Sequence, residues 1–251
     1  LGSTKMQKVT ASHQDSPHME MNHGLRWAYP VAYDWGTLVD NYDTARAGKD
    51  PLGDYREAAA MALGRTKDAV ILDACTGAAM SGTNGSTSNA FPAGNVIAAD
   101  NQGFTFDKLN RLTKALRANY AFEREDIYFV HDAHALMQLI SDVYASHKDY
   151  VQTVEALRDG RLPGNRFMNM TWICIEPRKG APTAGAASGD NDWGIPYNAT
   201  TDVTSCIAFS ASRIGLAVVN EGEFDFDPKR SDKKFNPYLY LKFDAGAVRR
   251  E

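Results

Sequence analysis

The stretch DPLGDYREAAAMALGRTKDAVILDACTG, residues 50–77, decides the fold that the sequence predicts. Asp50 can cap a helix, and Pro51 suits the first turn because an N–H at that position has no partner inside the helix. Strong helix formers follow without a further proline, and Gly77 is a typical C-terminal stop. The stretch therefore predicts a helix over residues 51–76, about 39 Å long. A helix so long and alanine-rich suits a structural strut better than the wall of an active site.

On the N-terminal side of this helix, residues 1–37 predict an extended arm of two strands. β-Forming residues cluster at 5–10 and at 25–31, with a polar segment between them. A lone hairpin of this kind is marginally stable in water. Its aromatic residues also leave apolar surface that needs covering, and we expect another subunit to cover it.

On the C-terminal side, residues 78–103 are rich in Gly, Ser, Thr and Asn, with the densest run at 81–89, which predicts a mobile loop. This loop lacks the Gly-Lys-Ser/Thr sequence that a phosphate-binding loop needs, so it does not predict a nucleotide site.

The rest of the chain predicts a compact α/β region followed by a β tail. Leucines at helical spacing predict a helix that begins near Phe106, and residues 133–146 predict a second one. The predicted strands of both regions lie at 127–130, 169–175, 204–209, 214–219 and 238–243.

Composition and charge exclude several classes of protein. The 251 residues are 43% hydrophobic, which is enough for a substantial core and is untypical of disordered or fibrous chains. The formal net charge is -4, and no basic run exceeds the Arg249-Arg250 pair, which argues against a reader of nucleic-acid sequence. No apolar stretch is long enough to span a bilayer and no signal-type segment opens the chain, so we expect a soluble protein that is not exported.

The three cysteines predict no special chemistry. Cys75, Cys174 and Cys206 form no CxxC pair, and an odd number cannot close into a full set of disulfides. Cys75 has no histidine nearby in sequence to activate it. We expect reduced, buried thiols.

His131, Asp132 and His134 are the strongest candidates for chemistry, because a histidine pair with a carboxylate can ligate zinc or activate a nucleophile. The two histidines are three positions apart rather than the four that a helical metal site prefers, and no third ligand is evident. Asp132 is better explained as the cap of the helix that follows. We therefore expect a structural role for this segment.

Two further groups of titratable residues are weaker candidates. His13, His18 and His23 recur every five residues in the polar part of the arm, where a pH switch or metal site is conceivable but a solvated or subunit-contacting role fits better. The acidic residues Asp225, Asp227 and Asp232 alternate in part with phenylalanines, which indicates a strand with a wet acidic side rather than a cation site. We expect no catalytic residue, no cofactor and no metal.

The order of these parts resembles the major capsid proteins of tailed bacteriophages with the Hong Kong 97-type fold, and the resemblance covers nearly all of the chain. It is carried by a series of short motifs in a shared order: Ser16-Pro17-His18, Tyr33-Asp34-Trp35, Asp40-Asn41-Tyr42-Asp43, Asp50-Pro51, the alanine run after Tyr55, Gly64-Arg65 with Asp68, Phe91-Pro92, Thr105-Phe106-Asp107-Lys108-Leu109, the strand at 127–130, residues 164–168, and Gly246-Ala247-Val248-Arg249.

The resemblance implies an α+β fold with four parts. Residues 1–37 would form the E-loop arm, 38–104 the spine helix and the first part of the peripheral domain, 105–220 the axial domain, and 221–251 the returning strands of the peripheral domain. The family carries a further N-terminal arm before the E-loop, which implies a segment upstream of Leu1. The anchors of the subunit interface are expected to be Arg26, Trp27, Tyr29 and Trp35, because Trp, Tyr and Arg usually contribute most of the binding energy.

The implied function is self-assembly, through hexamers and pentamers, into an icosahedral head shell that encloses the DNA genome without sequence-specific binding. The resemblance also suggests portal, scaffolding and decoration proteins as partners, a location in the virion after assembly in the bacterial cytoplasm, and no enzymatic activity or membrane contact. Two alternatives stay open: an encapsulin-like compartment that encloses a cargo enzyme, and a cytosolic metal-dependent hydrolase that uses His131, Asp132 and His134.

Overall fold

The computed structural model describes residues 6, 8, 10, 24–40, 52–100, 102–118, 126–142, 166–178, 193–198, 201, 203–231 and 236–250. Its helices are α1 (Leu52–Thr76), α2 (Phe106–Ala118) and α3 (Ala133–Ser141). Its strands are β1 (Arg26–Trp27), β2 (Val31–Leu38), β3 (Ala79–Ser81), β4 (Thr87–Asn89), β5 (Ile127–His131), β6 (Arg166–Phe167), β7 (Met170–Cys174), β8 (Tyr197–Asn198), β9 (Val203–Thr204), β10 (Ile207–Ser210), β11 (Ile214–Asp227) and β12 (Tyr238–Arg249).

Helix α1 confirms the long helix that the sequence predicts. Its 25 residues end at the predicted stop, where the N–H of Gly77 donates to the carbonyl of Asp73 at 2.7 Å. A Cβ at position 77 would lie 2.6 Å from that same carbonyl oxygen, so glycine allows the tight turn out of the helix.

Helix α1 packs on an antiparallel sheet of three strands in the order β11–β12–β2. Alternate residues of the central strand β12 are buried on the side that faces the helix: Leu239, Leu241, Phe243 and Ala245. Strand β11 changes register twice between Val218 and Glu223. At the second change Gly222 has a φ of +105°, and a Cβ there would meet Leu63 of α1 at 2.9 Å. Glycine at this bulge therefore lets the helix lie close to the sheet.

Residues 81–89 differ from the predicted loop. Strands β3 and β4 form an antiparallel hairpin, and β1 pairs with β3 as the third strand. The turn between β3 and β4 contains Gly82 and Gly85, whose φ angles of +89° and +69° favour glycine. The composition of the segment therefore reflects a tight hairpin turn, and the expectation of an irregular mobile loop is wrong for these residues.

The α/β region confirms the predicted elements at 106–118, 127–131 and 170–174. The helix predicted at 133–146 ends at Ser141, where the next residue is extended, and the strand predicted at 204–209 is divided between β9 and β10 in two different sheets. Its four-stranded sheet has the order β10–β5–β7–β6, in which β5 and β7 are parallel. Helices α2 and α3 contribute Leu109 and Leu139 to a core that also includes Phe129, Met170 and Trp172. A smaller cluster joins the end of α1 to the same sheet through Leu72, Cys75 and Val130.

The described part of the predicted arm lies against the body of the chain. Strand β1 pairs with β3, and β2 pairs with β12 along its whole length from Val31 to Leu38. The single strand expected at 25–31 is thus divided between two sheets. Of its expected partner at 5–10 only Met6, Lys8 and Thr10 are described, so most of the predicted hairpin lies outside the described residues.

Candidate subunit interface

The four predicted interface residues lie on two sheets. Arg26 and Trp27 are on β1, opposite Ser81 and Met80 of β3. Tyr29 lies in the short segment that connects β1 to β2, and 52% of its surface is exposed. Trp35 is half-buried on β2, opposite Leu241 on the face of the sheet that α1 covers.

Trp27 and Tyr29 are held by the hairpin turn of their own chain. The indole Nε1 of Trp27 donates to the carbonyl of Gly82 at 2.8 Å, and the hydroxyl of Tyr29 donates to the carbonyl of Gly85 at 3.2 Å. Gly85 leaves room for both rings, because a Cβ there would overlap the Tyr29 hydroxyl and lie 3.0 Å from Cγ of Trp27. These residues therefore have an intramolecular role that sequence reasoning missed, while the exposed parts of both rings stay open to a neighbour.

A second exposed apolar surface flanks α1 on both sides. Adjacent strands are about 4.8 Å apart, so a helix about 10 Å wide that lies along the central strand leaves the side chains of the outer strands partly uncovered. On the face that α1 covers, β2 and β11 carry six such side chains opposite alternate residues of β12, which we call the flank residues: Val31, Tyr33, Leu216, Val218, Phe224 and Phe226.

The flank residues are strongly exposed for apolar side chains. Phe224 is 45% exposed although it lies opposite Leu241, which is 3% exposed. Leu216 is 43% exposed at the other end of β11. The alternation of Phe224 and Phe226 with acidic residues is visible in the sequence, but their exposure follows only from the position of α1 on the sheet.

The opposite face of this sheet is acidic and aromatic, and we call it the outer face. Side chains from the three strands share this face: Asp34, Glu223, Asp225, Asp227, Tyr238, Tyr240, Lys242 and Asp244. The rings of Tyr238 and Tyr240 are stacked with centroids 6.3 Å apart, and the guanidinium of Arg230 lies 4.4 Å above the Tyr238 ring. Asp225 and Asp227 line a shallow depression beside these rings. The acidic side of β11 is therefore exposed, as the sequence predicts.

His131, Asp132 and His134 have the structural roles that the sequence favours. The carboxylate of Asp132 accepts from the N–H of Ala135 at 2.8 Å and caps α3. His131 is 2% exposed, with its ring against Phe129 and Trp172 and its Nδ1 2.9 Å from the carbonyl of Asp132. Burial lowers the pKa of His131, and the Asp132 carbonyl and charge oppose this effect only in part. His134 is exposed on α3, and its Nε2 lies 2.8 Å from Nε2 of Gln138 one turn later in the same helix.

The three cysteines are free thiols, but only Cys75 is fully buried and Cys174 is exposed. The expectation that all three are buried is therefore wrong for Cys174, which is the last residue of β7. Burial raises the pKa of both Cys75 and Cys206 to about 12. Thiols with such a pKa stay protonated at neutral pH and are poor nucleophiles.

The remaining candidates do not form a site in the part of the chain that the structure describes. His13, His18, His23 and Asp232 lie outside the described residues. Within the described ranges, no three His, Cys, Asp or Glu side chains are placed to hold a metal ion. None of the described helices is long and apolar enough to cross a membrane.

Comparison with known proteins shows what this arrangement is similar to. No curated protein sequence matches the chain. Among solved structures, a chain of Mycobacterium phage Che8 is 16% identical with a TM-score of 0.56, over 87% of this chain and 66% of that chain. The acidic stable capsid of Helicobacter pylori bacteriophage KHP30 is 11% identical with a TM-score of 0.58, over 88% of this chain and 68% of that chain. The capsid of cyanophage P-SCSP1u is 13% identical with a TM-score of 0.56, over 97% of this chain and 78% of that chain.

At these identities the structural likeness shows the fold, and the chain spans about two thirds of the length of the first two solved chains. Together with the mixed helices and sheets it confirms the predicted α+β class and the Hong Kong 97-type capsid fold. The model of the phage capsid protein family matches residues 1–251. The chain therefore belongs to the phage capsid protein family and is a structural protein of the phage head shell.

Proposed function

We propose that this chain is the major subunit that self-assembles, through hexamers and pentamers, into the icosahedral head shell of a tailed bacteriophage. The observation that carries the proposal is the set of flank residues. Six apolar side chains left exposed along the two outer strands of one sheet are unfavourable in a lone subunit, because contact with water is unfavourable for each exposed ring and methyl group. A second copy of the chain that covers these residues removes that surface from water.

The geometry of the surface suits repeated contacts between identical subunits. The flank residues lie along two edges of one sheet, and a contact from each edge to a different neighbour is heterologous. Heterologous contacts close into rings when the rotation between copies closes, as five-fold and six-fold rings do. Arg26, Trp27, Tyr29 and Trp35 are proposed to extend this interface, since Trp27 and Tyr29 keep exposed ring surface at the base of the predicted arm.

The parts of the fold are proposed to have the roles that the family resemblance implies. Helix α1 would be the spine, the β11–β12–β2 sheet would form the peripheral domain, and the four-stranded sheet with α2 and α3 would form the axial domain. Strand β2 pairs with β12 and so belongs to the sheet proposed as the peripheral domain. This pairing favours a boundary between the E-loop arm and the peripheral domain near Tyr29 instead of at residue 37.

The charge of the chain fits a shell that encloses DNA without reading its sequence. A formal net charge of -4 does not attract the phosphate backbone strongly, so the packaged genome would not adhere to the shell. Portal, scaffolding and decoration proteins are the further partners proposed, with assembly in the bacterial cytoplasm. A catalytic role is not proposed, because Asp132 is engaged as a helix cap and His131 is buried.

The test is assembly of the purified full-length protein, followed by size-exclusion chromatography and negative-stain electron microscopy. We expect capsomers or shells from the native sequence and a strong loss of both from the double variant Phe224→Asp with Phe226→Asp. Met137→Asp is the matched control, because Met137 is an exposed apolar residue of α3, away from the flank residues. A folded protein that stays monomeric at every concentration would contradict the proposal. Native shells that contain a cargo enzyme instead of DNA would favour an encapsulin-like compartment.

A further inference from the structure

We infer that a second subunit contact is electrostatic, in which the outer face of one subunit binds the basic side of α2 in another copy of the chain. This inference rests on the proposed function, because it specifies which surfaces meet within a ring of subunits. The flank residues lie on the opposite side of the sheet and are not part of this contact.

The outer face has an excess of negative charge. Its five carboxylates are those of Asp34, Glu223, Asp225, Asp227 and Asp244. Two cations lie against this face in the part of the chain that the structure describes: Lys242, 3.7 Å from Asp244, and Arg230, over the Tyr238 ring. The pairing register of the three strands fixes which carboxylates share this face.

The shape of the outer face suits long cationic side chains. A depression of about 350 Å³ on this face is lined by two tyrosine rings, two carboxylates and one guanidinium: Tyr238, Tyr240, Asp225, Asp227 and Arg230. Tyrosine rings pack well against the methylene stems of Lys and Arg and attract their charged ends, while the carboxylates pair with the cations. The expected occupant is therefore a basic surface rather than an apolar one.

The basic side of α2 has complementary features. Arg111, Lys114 and Arg117 recur every three residues on the exposed side of the helix, and Nε of Arg111 lies 2.8 Å from Oδ2 of Asp107 one turn earlier. Lys114 and Arg117 line a depression of about 360 Å³ with Asn110, Thr113 and Met168. The apolar side of the same helix is buried through Leu109, so the basic side faces away from the core.

The outer face belongs to the β11–β12–β2 sheet and the basic side belongs to helix α2, so a contact between them joins two different surfaces and is heterologous. Each copy then offers its outer face to one neighbour and its α2 to the other, and the chain of contacts can close into a ring. Opposite charges across such a contact favour the correct register and disfavour like-charged alternatives. This is the physical argument for a second copy, rather than an unrelated basic peptide, as the partner.

The first test uses charge reversal in the full-length protein. The acidic-face variant is Asp225→Lys with Asp227→Lys, and the basic-helix variant is Lys114→Glu with Arg117→Glu. We expect each to raise the protein concentration needed for assembly by about tenfold or more, since like charges then face each other. The combined four-substitution chain should assemble near the native concentration. Arg56→Glu with Glu57→Lys on α1 is the matched control, and circular dichroism should show that every variant is folded.

The second test mixes the two defective variants in equal amounts. In a ring where the two variants alternate, the contacts are of two kinds. In one, the outer face made basic meets the α2 made acidic; in the other, a native acidic outer face meets a native basic α2. Every contact in such a ring therefore joins opposite charges. Alternation closes only rings with an even number of subunits. We expect six-membered rings by sedimentation velocity and electron microscopy, without closed shells that need five-membered rings.

The outcomes separate this inference from the proposed function. If the native protein assembles and either reversed variant assembles equally well, the electrostatic contact is wrong while the capsid function stands. If the combined chain is folded but fails to assemble where the native protein succeeds, the pairing of these two surfaces is wrong. If the native protein itself stays monomeric, the proposed function fails first.

Discussion

The guanidinium of Arg249, at the end of β12, donates from Nη1 to the carbonyl of Gly77 at 2.8 Å. The same nitrogen lies 3.4 Å from the carbonyl of Cys75, and Nη2 lies 3.4 Å from the carbonyl of Ala90. The side chain also lies over the ring of Phe91, 5.0 Å from its centroid. One buried cation thus joins the C-terminal end of α1, the last strand and the segment after β4. A cation is well placed at a helix C-terminus because the last carbonyls are unpaired and carry partial negative charge.

Arg249→Leu should lower the free energy of unfolding by about 2–4 kcal/mol, because the buried carbonyls lose their donor. Arg249→Lys should recover part of this loss, since an ammonium can reach fewer acceptors than a guanidinium. Urea unfolding followed by circular dichroism measures both. Arg250→Leu is the control, because Arg250 is exposed. Equal unfolding midpoints for Arg249→Leu and Arg250→Leu would show that the contact with Gly77 has no role in stability.

Two glycines should respond to alanine in opposite directions. Gly64 lies within α1 and a Cβ there meets no atom within 4 Å, so Gly64→Ala should stabilise the subunit by about 0.5–1 kcal/mol. A Cβ at Gly246 would overlap the backbone carbonyl of Tyr29, so Gly246→Ala should destabilise it by about 1–3 kcal/mol. Thermal unfolding of the two variants checks the difference. A stabilised Gly246→Ala would mean that the segment at Tyr29 does not pack against β12 as described.

His131 should make the stability of the subunit depend on pH. Burial lowers the pKa of His131 in the folded state below the 6.5 of an unperturbed histidine. Below pH 6.5 the unfolded chain therefore binds a proton that the folded chain excludes, and stability falls as the pH falls, by at most about 1.4 kcal/mol per pH unit. Above pH 6.5 both states are neutral and the dependence disappears.

The variant His131→Phe isolates this effect, because phenylalanine keeps the ring contacts with Phe129 and Trp172 without a titrating group. Between pH 7.5 and pH 5.5 the native subunit should lose more stability in urea unfolding than the variant does. His134→Phe is the control at an exposed position of α3. If the native subunit and His131→Phe lose equal stability over this pH range, the burial of His131 in its neutral form is contradicted.

The thiols should differ in reactivity in the unassembled, folded subunit. Cys75 and Cys206 are protonated at neutral pH because burial raises the pKa of both to about 12, so a disulfide reagent should reach them only after unfolding. Cys174 is exposed and should react first, although burial of part of its surface and the nearby Glu176 raise its pKa as well. Counting released thiolate with Ellman's reagent should give one thiol before urea is added and three afterwards. In Cys174→Ser the thiol that reacts before unfolding should disappear, and its persistence would place another cysteine at the surface.

The elements that depend on neighbouring residues were predictable from the sequence. The end of α1 at Gly77 and the start of α3 at Asp132 follow from capping rules that involve residues within four positions of each other. The strand at Ile127–His131 follows from a short apolar run, and the exposed acidic side of β11 from alternation. The structural role of Asp132, and hence the weakness of a metal-site hypothesis, was predictable for the same reason.

The partners of these elements could not be predicted, because pairing depends on contacts between residues far apart in the chain. The hairpin at 81–89 has the composition of a loop, and it becomes ordered only where β1 adds a strand and Trp27 bonds to Gly82, 55 positions away. The ring of Trp27, with its apolar faces and one N–H donor, suits a contact with a neighbouring subunit as well as a contact with its own chain. Its sequence context therefore does not distinguish an intermolecular anchor from an intramolecular one.

The amino-acid order alone established the long helix, its stop, the mixed α+β class and the family resemblance, since each follows from residue type and local spacing. Tertiary structure alone decided that one helix covers only the middle of a three-stranded sheet, that six apolar side chains on the outer strands stay in contact with water, and that Arg249 reaches Gly77 across 172 positions. The reason is that a side chain's burial depends on which distant segment packs over it, and no local pattern contains that information.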